Sequence, residues 1–157
     1  MCGIIGYIGN NNASTILFQS LKRMEYRGYD SAGIATINDN KLTVKKDIGR
    51  IDQINQKIKF ETAKGKIGIA HTRWATHGSV TIENSHPHTS CNEEIVLVHN
   101  GIIDNYKQLQ EELSKKHNFK SETDTEIIAH LIEEEYGKRK EPIESLKSVV
   151  EKLAGSF

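Results

Sequence analysis

Apolar residues occur along the chain in two patterns, as short runs bounded by turn residues and as longer stretches with helical spacing. The short runs predict about five strands. These strands are expected at residues 2–8, 32–37, 41–46, 67–70 and 95–98. Asn38-Asp39-Asn40 separates the second strand from the third and is a turn signal, so these two strands should form a hairpin.

Helical spacing of apolar residues predicts five helices. They are expected at 13–27, 51–58, 106–113, 124–132 and 142–153. Gly28 should close the first helix as a left-handed cap. Thr123 and Glu126 have the spacing of a capping box for the fourth helix, and Pro142 suits the first turn of the fifth. Gly155-Ser156-Phe157 then resembles the start of another strand.

Residues 71–94 form a long polar segment between two predicted strands. Loops of this length inside a compact domain are usually functional. The chain shows no internal repeat and no composition typical of a linker, so we expect one domain over residues 1–157.

Composition and charge narrow the class of protein. The 157 residues suffice for a single domain with its own core. The 21 basic and 21 acidic residues cancel, which argues against a strongly basic protein that binds nucleic acid. No apolar run approaches the roughly 18–20 residues of a membrane span, and no signal peptide opens the chain. Two cysteines make no disulfide framework, so a cytoplasmic location is expected.

Cys2 is the first candidate for chemistry. If Met1 is removed, the Cys2 thiol and a free α-amino group belong to the same residue. An α-amine has a pKa of about 7.7–8.0, which suits a general base at neutral pH. One residue would then supply both nucleophile and base. The alternative is that Cys2 is only a small apolar residue at the start of a buried strand.

Polar residues with possible binding roles follow two of the predicted strands. Arg73 lies in the segment 71–78, where a guanidinium can hold a carboxylate through two hydrogen bonds. The alternative is a surface ion pair with Trp74 packed beneath it. Asn100 and Gly101 follow the strand at 95–98, where a side-chain amide and a backbone N–H can form an oxyanion hole. The alternative is a plain turn, for which Asn-Gly is a strong signal.

Acidic and metal-ligating residues give weaker signals. Asp124 belongs to the segment 121–126, which suits a helix N-terminus, although its carboxylate could also bind an ammonium group. Five of the seven histidines lie between His71 and His99, with Cys91 among them. Their spacing matches no zinc pattern, and no nucleotide-binding glycine motif occurs. We therefore expect no metal and no cofactor, with a small metal-binding domain as the alternative.

Six segments in a fixed order carry a resemblance to a known family. They are Cys2–Gly6, Glu25–Gly33, His71–Gly78, Asn84–His88, Val98–Ile103 and Ser121–Glu126. Together they resemble the N-terminal glutaminase domain of the class II glutamine amidotransferases that use fructose 6-phosphate. These proteins are N-terminal nucleophile hydrolases, and the likeness covers essentially the whole chain.

The resemblance implies a catalytic role for three residues. Cys2 would attack the side-chain amide carbon of L-glutamine, and its own α-amine would relay the proton. The Asn100 side chain and the Gly101 N–H would stabilise the tetrahedral oxyanion. Hydrolysis of the resulting thioester would release glutamate.

The same resemblance implies residues that bind or support the substrate. Arg73 would hold the α-carboxylate of glutamine and Asp124 its α-ammonium group. Thr76 and His77 would line the same pocket. Arg27 and Trp74 would have supporting roles.

The fold that the resemblance implies is α+β, a four-layer αββα sandwich. Five strands are too few for it, so we expect a partial domain that is incomplete at its C-terminus. The sugar-isomerase domains of the family are absent from the chain, and fructose 6-phosphate would bind only there. Full-length members are expected to be homo-oligomers. The alternative to a glutaminase is an inactive fragment, or a module that binds glutamine or a protein.

Overall fold

The computed structural model describes residues 2–75 and 78–157. That part contains both β-strands and α-helices, and two short 3-10 helices span Glu25–Arg27 and Phe60–Thr62. The chain divides into two compact units, of which the first ends at Pro87 and the second begins at His88. No helix described there is both long enough and apolar enough to cross a bilayer. The expected α+β class is confirmed.

The first unit is built on a four-stranded antiparallel sheet with the strand order β1-β4-β2-β3. Its strands are β1 (Gly3–Ile8), β2 (Ser31–Asn38), β3 (Lys41–Ile48) and β4 (Ile67–Arg73). Asp39 and Asn40 connect β2 to β3 with positive φ angles of 49° and 60°. Short polar residues tolerate such angles, and the predicted hairpin is confirmed.

The register of this sheet brings three strand ends together. In the β1–β4 pair, Gly3 lies opposite Thr72, and in the β2–β4 pair Ser31 lies opposite Arg73. Because both pairs are antiparallel, the beginnings of β1 and β2 flank the end of β4. Cys2 and Asp30, which directly precede β1 and β2, are thereby placed beside the residues that follow Thr72.

Two helices cover one face of the sheet and close the core of the first unit. They are α1 (Ala13–Met24) and α2 (Ile51–Ile58). The core residues are each 2% exposed or less, and they are Ala13, Leu17, Leu21, Ala32, Ile34, Ile51, Ile54, Phe60, Ala63 and Ala70. Both helices were predicted from the spacing of their apolar residues, and both are confirmed.

The prediction of a left-handed cap at Gly28 is wrong. The α-helix ends at Met24 and a 3-10 helix continues to Arg27, while Gly28 is extended with φ −172° and ψ 133°. A Cβ atom on Gly28 would lie 2.7 Å from both the carbonyl carbon and the carbonyl oxygen of Arg73. Glycine is needed here because another backbone approaches it closely, and not because of its φ angle.

The second unit combines three helices with four strands of two residues each. The strands are β5 (His88–Thr89), β6 (Val96–Leu97), β7 (Ile102–Ile103) and β8 (Gly155–Ser156), paired β5–β6 and β7–β8. The helices are α3 (Tyr106–Leu113), α4 (Thr125–Arg139) and α5 (Pro142–Val150). The core is formed by Ile103, Leu109, Leu113, Ile127, Ile128, Leu131 and Val149.

The described residues contain eight strands, where about five were expected. The strand expected at 95–98 is shorter, and β7 was not foreseen. The polar segment 71–94 is not a loop throughout, since β4 continues to Arg73 and β5 lies near its end. Pairs of two residues are too short to show periodicity in a sequence.

The predicted capping box at the start of α4 is wrong. The helix begins one residue later, with Asp124 as its N-cap. Glu126, only 3% exposed, accepts hydrogen bonds from the N–H groups of Lys120 at 2.8 Å and Ser121 at 2.6 Å. Burial raises the pKa of Glu126, but hydrogen bonds from His130 and from these N–H groups outweigh it and lower the pKa to about 2. The carboxylate thus orders the loop before the helix.

Candidate active site

Cys2 lies at the end of the first unit's sheet where β1 begins. Its Sγ accepts a hydrogen bond from the Trp74 N–H at 3.2 Å and lies 3.6 Å from the Trp74 carbonyl oxygen. The Gly3 N–H donates to Thr72 Oγ1 at 3.1 Å, which fixes the adjacent backbone. Cys2 is half-buried, so the thiol is held in place and remains accessible.

Arg73 ends β4 beside Cys2 and is only 4% exposed. Its Nη1 donates to the carbonyl oxygen of Ser79 at 3.1 Å. Burial lowers the pKa of Arg73, and the neighbouring Cys2 and Asp30 act against that effect. An arginine side chain stays positively charged under these conditions, so the site has a fixed cation next to its thiol.

Asp30 fixes the backbone that carries Arg73 and Trp74. Its N–H donates to the Arg73 carbonyl at 3.2 Å, and its Oδ2 accepts from the Ala75 N–H at 2.7 Å. Gly28 lies against the same Arg73 carbonyl group. We assigned no role to Asp30 from the sequence, although it belongs to one of the six segments that carry the resemblance.

The aromatic residues of this site are more exposed. Trp74 is 43% exposed, and its ring meets that of Tyr29 edge-on with 5.3 Å between centroids. Arg27 donates from Nε to the Tyr26 hydroxyl at 3.3 Å, and its guanidinium lies 5.6 Å from the centroid of the Tyr26 ring. Thr76 and His77, the other two residues expected here, lie outside the described residues.

The loop that follows is ordered by buried polar groups. The Asn84 side chain, 2% exposed, donates to the same Ser79 carbonyl that Arg73 contacts, at 3.0 Å. The His71 and His86 rings stack with 4.0 Å between centroids. These contacts hold the segment after Arg73 against the sheet of the first unit.

In the second unit, Asn100 and Gly101 connect β6 to β7, and both are exposed. Gly101 has a φ of 146°, which is accessible to glycine and strongly disfavoured for other residues. A Cβ atom there would also collide with the backbone of Ser156 and Phe157 beside β8. The predicted Asn-Gly segment therefore has a backbone geometry that requires its glycine.

Asp124 is tied to the same segment. Its Oδ2 accepts a hydrogen bond from the Ile103 N–H at 2.8 Å, two residues after Gly101. His99 Nδ1 lies 3.0 Å from Thr125 Oγ1. Burial lowers the pKa of His99, and the nearby negative charge of Asp124 acts in the opposite direction without outweighing burial. The carboxylate expected to bind an ammonium group thus lies at the N-terminus of α4, beside the strand that follows Asn100 and Gly101.

The structure gathers the predicted residues into two groups. Cys2, Arg73 and Trp74 form one group in the first unit. Asn100, Gly101 and Asp124 form the other in the second unit, where Asp124 accepts a hydrogen bond from β7, the strand that follows Asn100 and Gly101.

Comparison with known proteins shows the family to which the chain is related. Residues 71–157 match a family described as a glutamine amidotransferase domain. Over its full length, the chain is 55% identical to the glutamine–fructose-6-phosphate aminotransferase (isomerizing) of Methanococcus maripaludis and 54% identical to that of Thermococcus kodakarensis. It spans 27% and 26% of these two proteins, so it corresponds to about a quarter of their length.

Two solved structures are similar to 99% of the chain. One is the glutamine phosphoribosylpyrophosphate amidotransferase of B. subtilis with ADP and GMP, with a TM-score of 0.81, 31% identity and 33% of that chain covered. The other is described as the allosteric regulatory enzyme of purine biosynthesis, with a TM-score of 0.83, 32% identity and 34% covered. The expected fold of the N-terminal nucleophile hydrolases is confirmed by these likenesses. The chain belongs to the glutamine amidotransferase family.

Proposed function

We propose that this chain hydrolyses the side-chain amide of L-glutamine through a thioester on Cys2. The observation that carries the proposal is the position of the Cys2 thiol, which accepts the Trp74 N–H at 3.2 Å beside the buried cation of Arg73. The backbone donor holds the sulfur in place, and Arg73 puts a positive charge beside it. The family to which the chain belongs supports the same chemistry.

The first half of the reaction forms the thioester. With Met1 removed, the free α-amine of Cys2 accepts the thiol proton, and Sγ attacks the amide carbon of glutamine. The carbonyl oxygen becomes an oxyanion, which the Asn100 side-chain amide and the Gly101 N–H stabilise in this proposal. Loss of one such donor typically costs about 2.7–4 kcal/mol in the barrier. The amine then gives its proton to the leaving nitrogen, and ammonia departs.

The second half regenerates the enzyme. Water attacks the thioester carbon, and the thiolate leaves as the oxyanion collapses. Glutamate is released, and the thiol of Cys2 recovers its proton. Each half passes through one oxyanion, so the same two donors act twice.

Recognition of glutamine requires groups for its two charged ends. The guanidinium of Arg73 is suited to the α-carboxylate because it can donate two parallel hydrogen bonds. The carboxylate of Asp124 is suited to the α-ammonium group. Thr76 and His77 are proposed to line the pocket. Trp74 supports the thiol through its backbone N–H, and Arg27 has a supporting role.

The ammonia acceptor is proposed from the relatives. The two relatives above are named for fructose 6-phosphate, and they are about four times as long as this chain. We propose that ammonia passes to fructose 6-phosphate. We also propose that this happens in a homo-oligomeric protein with further regions like those that the two relatives have outside the matched part. A cytoplasmic location fits the two cysteines, which are both free thiols.

The decisive experiment measures glutamate release by purified protein whose free Cys2 amine is verified by mass spectrometry. We expect steady turnover of glutamine, and we expect Cys2→Ala to abolish it while glutamine affinity is largely retained. Turnover by Cys2→Ala would exclude the thioester. Binding of glutamine without turnover by the parent protein would favour the alternative, an inactive module that binds glutamine.

A further inference from the structure

A cluster of four potential metal ligands lies in the second unit, away from the residues assigned to glutamine. Its members are Cys91, His117, His130 and Glu133. One ligand atom of each residue lies within 4.8 Å of all the others. Cys91 follows β5, His117 follows α3, and the other two residues lie three positions apart on α4. Residues three apart share one face of a helix, so α4 presents both side chains to the same point.

Four of the six distances between ligand atoms are close to those around one tetrahedral ion, and all six are within 4.8 Å. Cys91 Sγ lies 3.5 Å from His117 Nδ1 and 3.7 Å from His130 Nδ1. Glu133 Oε2 lies 3.3 Å from His117 Nδ1 and 3.9 Å from His130 Nδ1. In a tetrahedron with Zn–S near 2.3 Å and Zn–N or Zn–O near 2.1 Å, neighbouring ligand atoms are about 3.4–3.6 Å apart. Small side-chain adjustments would bring all four atoms to those distances.

The outer nitrogens of both histidines face carboxylates. His117 Nε2 lies 3.5 Å from Glu134 Oε1, and His130 Nε2 lies 3.5 Å from Glu126 Oε1. With a metal ion bound at Nδ1, each imidazole would carry its proton on Nε2, where the outer carboxylate can accept it. Both Nδ1 atoms are the ones that point into the cluster. Metal-binding histidines in proteins are commonly supported in this way.

The carboxylate of the cluster is also oriented from outside. Glu133 Oε1 accepts a hydrogen bond from the Asn92 N–H at 3.0 Å, while Oε2 is the atom near both imidazoles. One oxygen is thus held by the backbone, and the other is positioned as a single ligand. Asn92 follows Cys91 in the chain, so the same loop supplies one ligand and orients another.

Three of the four side chains in this cluster are largely buried, unlike chance groups of polar residues on a protein surface. The side chains of His130, His117 and Glu133 are 1%, 9% and 12% exposed. A bound cation would replace the contacts that these three side chains make with one another and with Cys91. Cys91 is exposed, so an ion can reach the cluster from solvent through its thiol side.

We propose that Cys91, His117, His130 and Glu133 bind one Zn²⁺ ion. A thiolate with two imidazoles and a carboxylate suits zinc better than magnesium or calcium, which prefer oxygen ligands. Binding displaces the thiol proton of Cys91 to solvent. Four protein ligands leave no open position, so the ion is structural and fastens the loops of Cys91 and His117 to α4.

The test uses the Cys2→Ala chain, purified without a histidine tag and freed of metal with a chelator. This variant keeps Cys91 as its single thiol, because the chain has two cysteines. We expect one zinc per chain after dialysis and elemental analysis. We also expect Co²⁺ to give tetrahedral visible absorption with a thiolate charge-transfer band in the near ultraviolet. Substoichiometric zinc at saturating free ion, or Co²⁺ binding without that band, would overturn the proposal.

Single substitutions assign the ligands. Adding Cys91→Ser or His117→Ala to the Cys2→Ala chain should weaken zinc binding at least 100-fold, and Cys91→Ser should remove the charge-transfer band. His71→Ala, which changes a histidine of the first unit, should leave the zinc affinity within about twofold. Unchanged affinity in Cys91→Ser would contradict the assignment. If a variant fails to fold, the Co²⁺ spectrum of the Cys2→Ala chain alone decides.

Discussion

At the scale of single residues, Arg73 is the clearest case of a buried charge at the proposed site. It is 4% exposed, it ends a strand, and one of its nitrogens donates to the Ser79 carbonyl. A guanidinium is planar and has five N–H donors, a geometry that matches the two oxygens of a carboxylate. Because the Arg73 side chain is buried, hydrogen bonds to a substrate carboxylate would be stronger there than in water.

Replacing Arg73 with lysine tests this role. We expect Arg73→Lys to raise the KM for glutamine at least tenfold, or about 1.4 kcal/mol, with a smaller effect on kcat. Lysine keeps the charge but loses the planar pair of donors. Arg23→Lys, at an exposed position of α1, should leave both constants unchanged. Steady-state glutaminase kinetics distinguish these outcomes, and an unaltered KM in Arg73→Lys would exclude the carboxylate contact.

The sequence drew attention to residues whose type suggests chemistry and missed residues whose contacts join distant positions. Cys2 and Arg73 stand out by residue type, and the sheet brings them together. Asp30 did not stand out, because its hydrogen bond to Ala75 joins positions 45 apart. The cluster proposed to bind zinc was not predicted for the same reason. Cys91 and His117 are 26 positions apart and match no metal motif.

At the scale of elements, close backbone approach determines where glycine is required. Gly28 lies against the Arg73 carbonyl, and a Cβ there would be 2.7 Å from backbone atoms that have little freedom to move. Gly137, within α4, has open space around the position of its missing Cβ. The two glycines therefore make a matched pair for substitution.

The same change should have opposite effects at these two positions. Gly28→Ala should lower the free energy of unfolding by about 1–3 kcal/mol, because it displaces the end of β4. Gly137→Ala should raise it by about 0.5–1 kcal/mol, because alanine favours the helix. Urea unfolding followed by circular dichroism measures both. Equal effects of the same sign would contradict this account of Gly28.

A buried carboxylate connects β3 to α2. Asp47, 1% exposed, accepts from Lys57 Nζ at 2.6 Å and from the Ile48 N–H at 2.8 Å. Burial raises the pKa of Asp47, but these hydrogen bonds and the charge of Lys57 outweigh it and hold the pKa below its usual value of 3.8. The ionised form is therefore favoured in the folded protein.

The lowered pKa of Asp47 predicts how the free energy of unfolding depends on pH. The pKa of Asp47 is lower in the folded protein than in the unfolded chain. The contribution of Asp47 to the free energy of unfolding is therefore complete above about pH 5, and it is lost as the pH falls through the pKa of the folded form. We expect Asp47→Asn to cost about 1–3 kcal/mol at pH 7, and the difference from the parent should shrink toward pH 3. Asp39→Asn removes the same charge from an exposed turn and controls for net charge. A difference that stays constant from pH 7 to pH 3 would refute the linkage.

Elements with strong periodicity were predicted well. The helices α1, α2, α3 and α5 and the strands of the four-stranded sheet lie where the apolar pattern placed them. The start of α4 was predicted wrongly, because Glu126 turns to the N–H groups of Lys120 and Ser121 and not to that of Thr123. Which N–H groups Glu126 binds depends on how the preceding loop folds. The spacing of residues near Thr123 in the sequence does not determine this.

At the scale of the whole molecule, the chain consists of two units with separate hydrophobic cores. The sequence suggested one domain, since no linker composition marks the boundary after Pro87. The residues proposed to act on glutamine are encoded in both units, and those proposed to bind zinc in the second alone. The α+β class and the family were predicted from motifs that occur in a fixed order. These motifs can be recognised even where the predicted bounds of single helices and strands are wrong.

The hydrogen bond between the Trp74 N–H and the Cys2 sulfur has a practical consequence. Trp74 is the chain's single tryptophan, so all indole fluorescence originates at the residue whose backbone N–H donates to the proposed nucleophile. Alkylation or acylation of that sulfur alters the acceptor of this backbone hydrogen bond. We therefore expect tryptophan emission in a stopped-flow experiment to follow the formation and decay of a thioester without any added label.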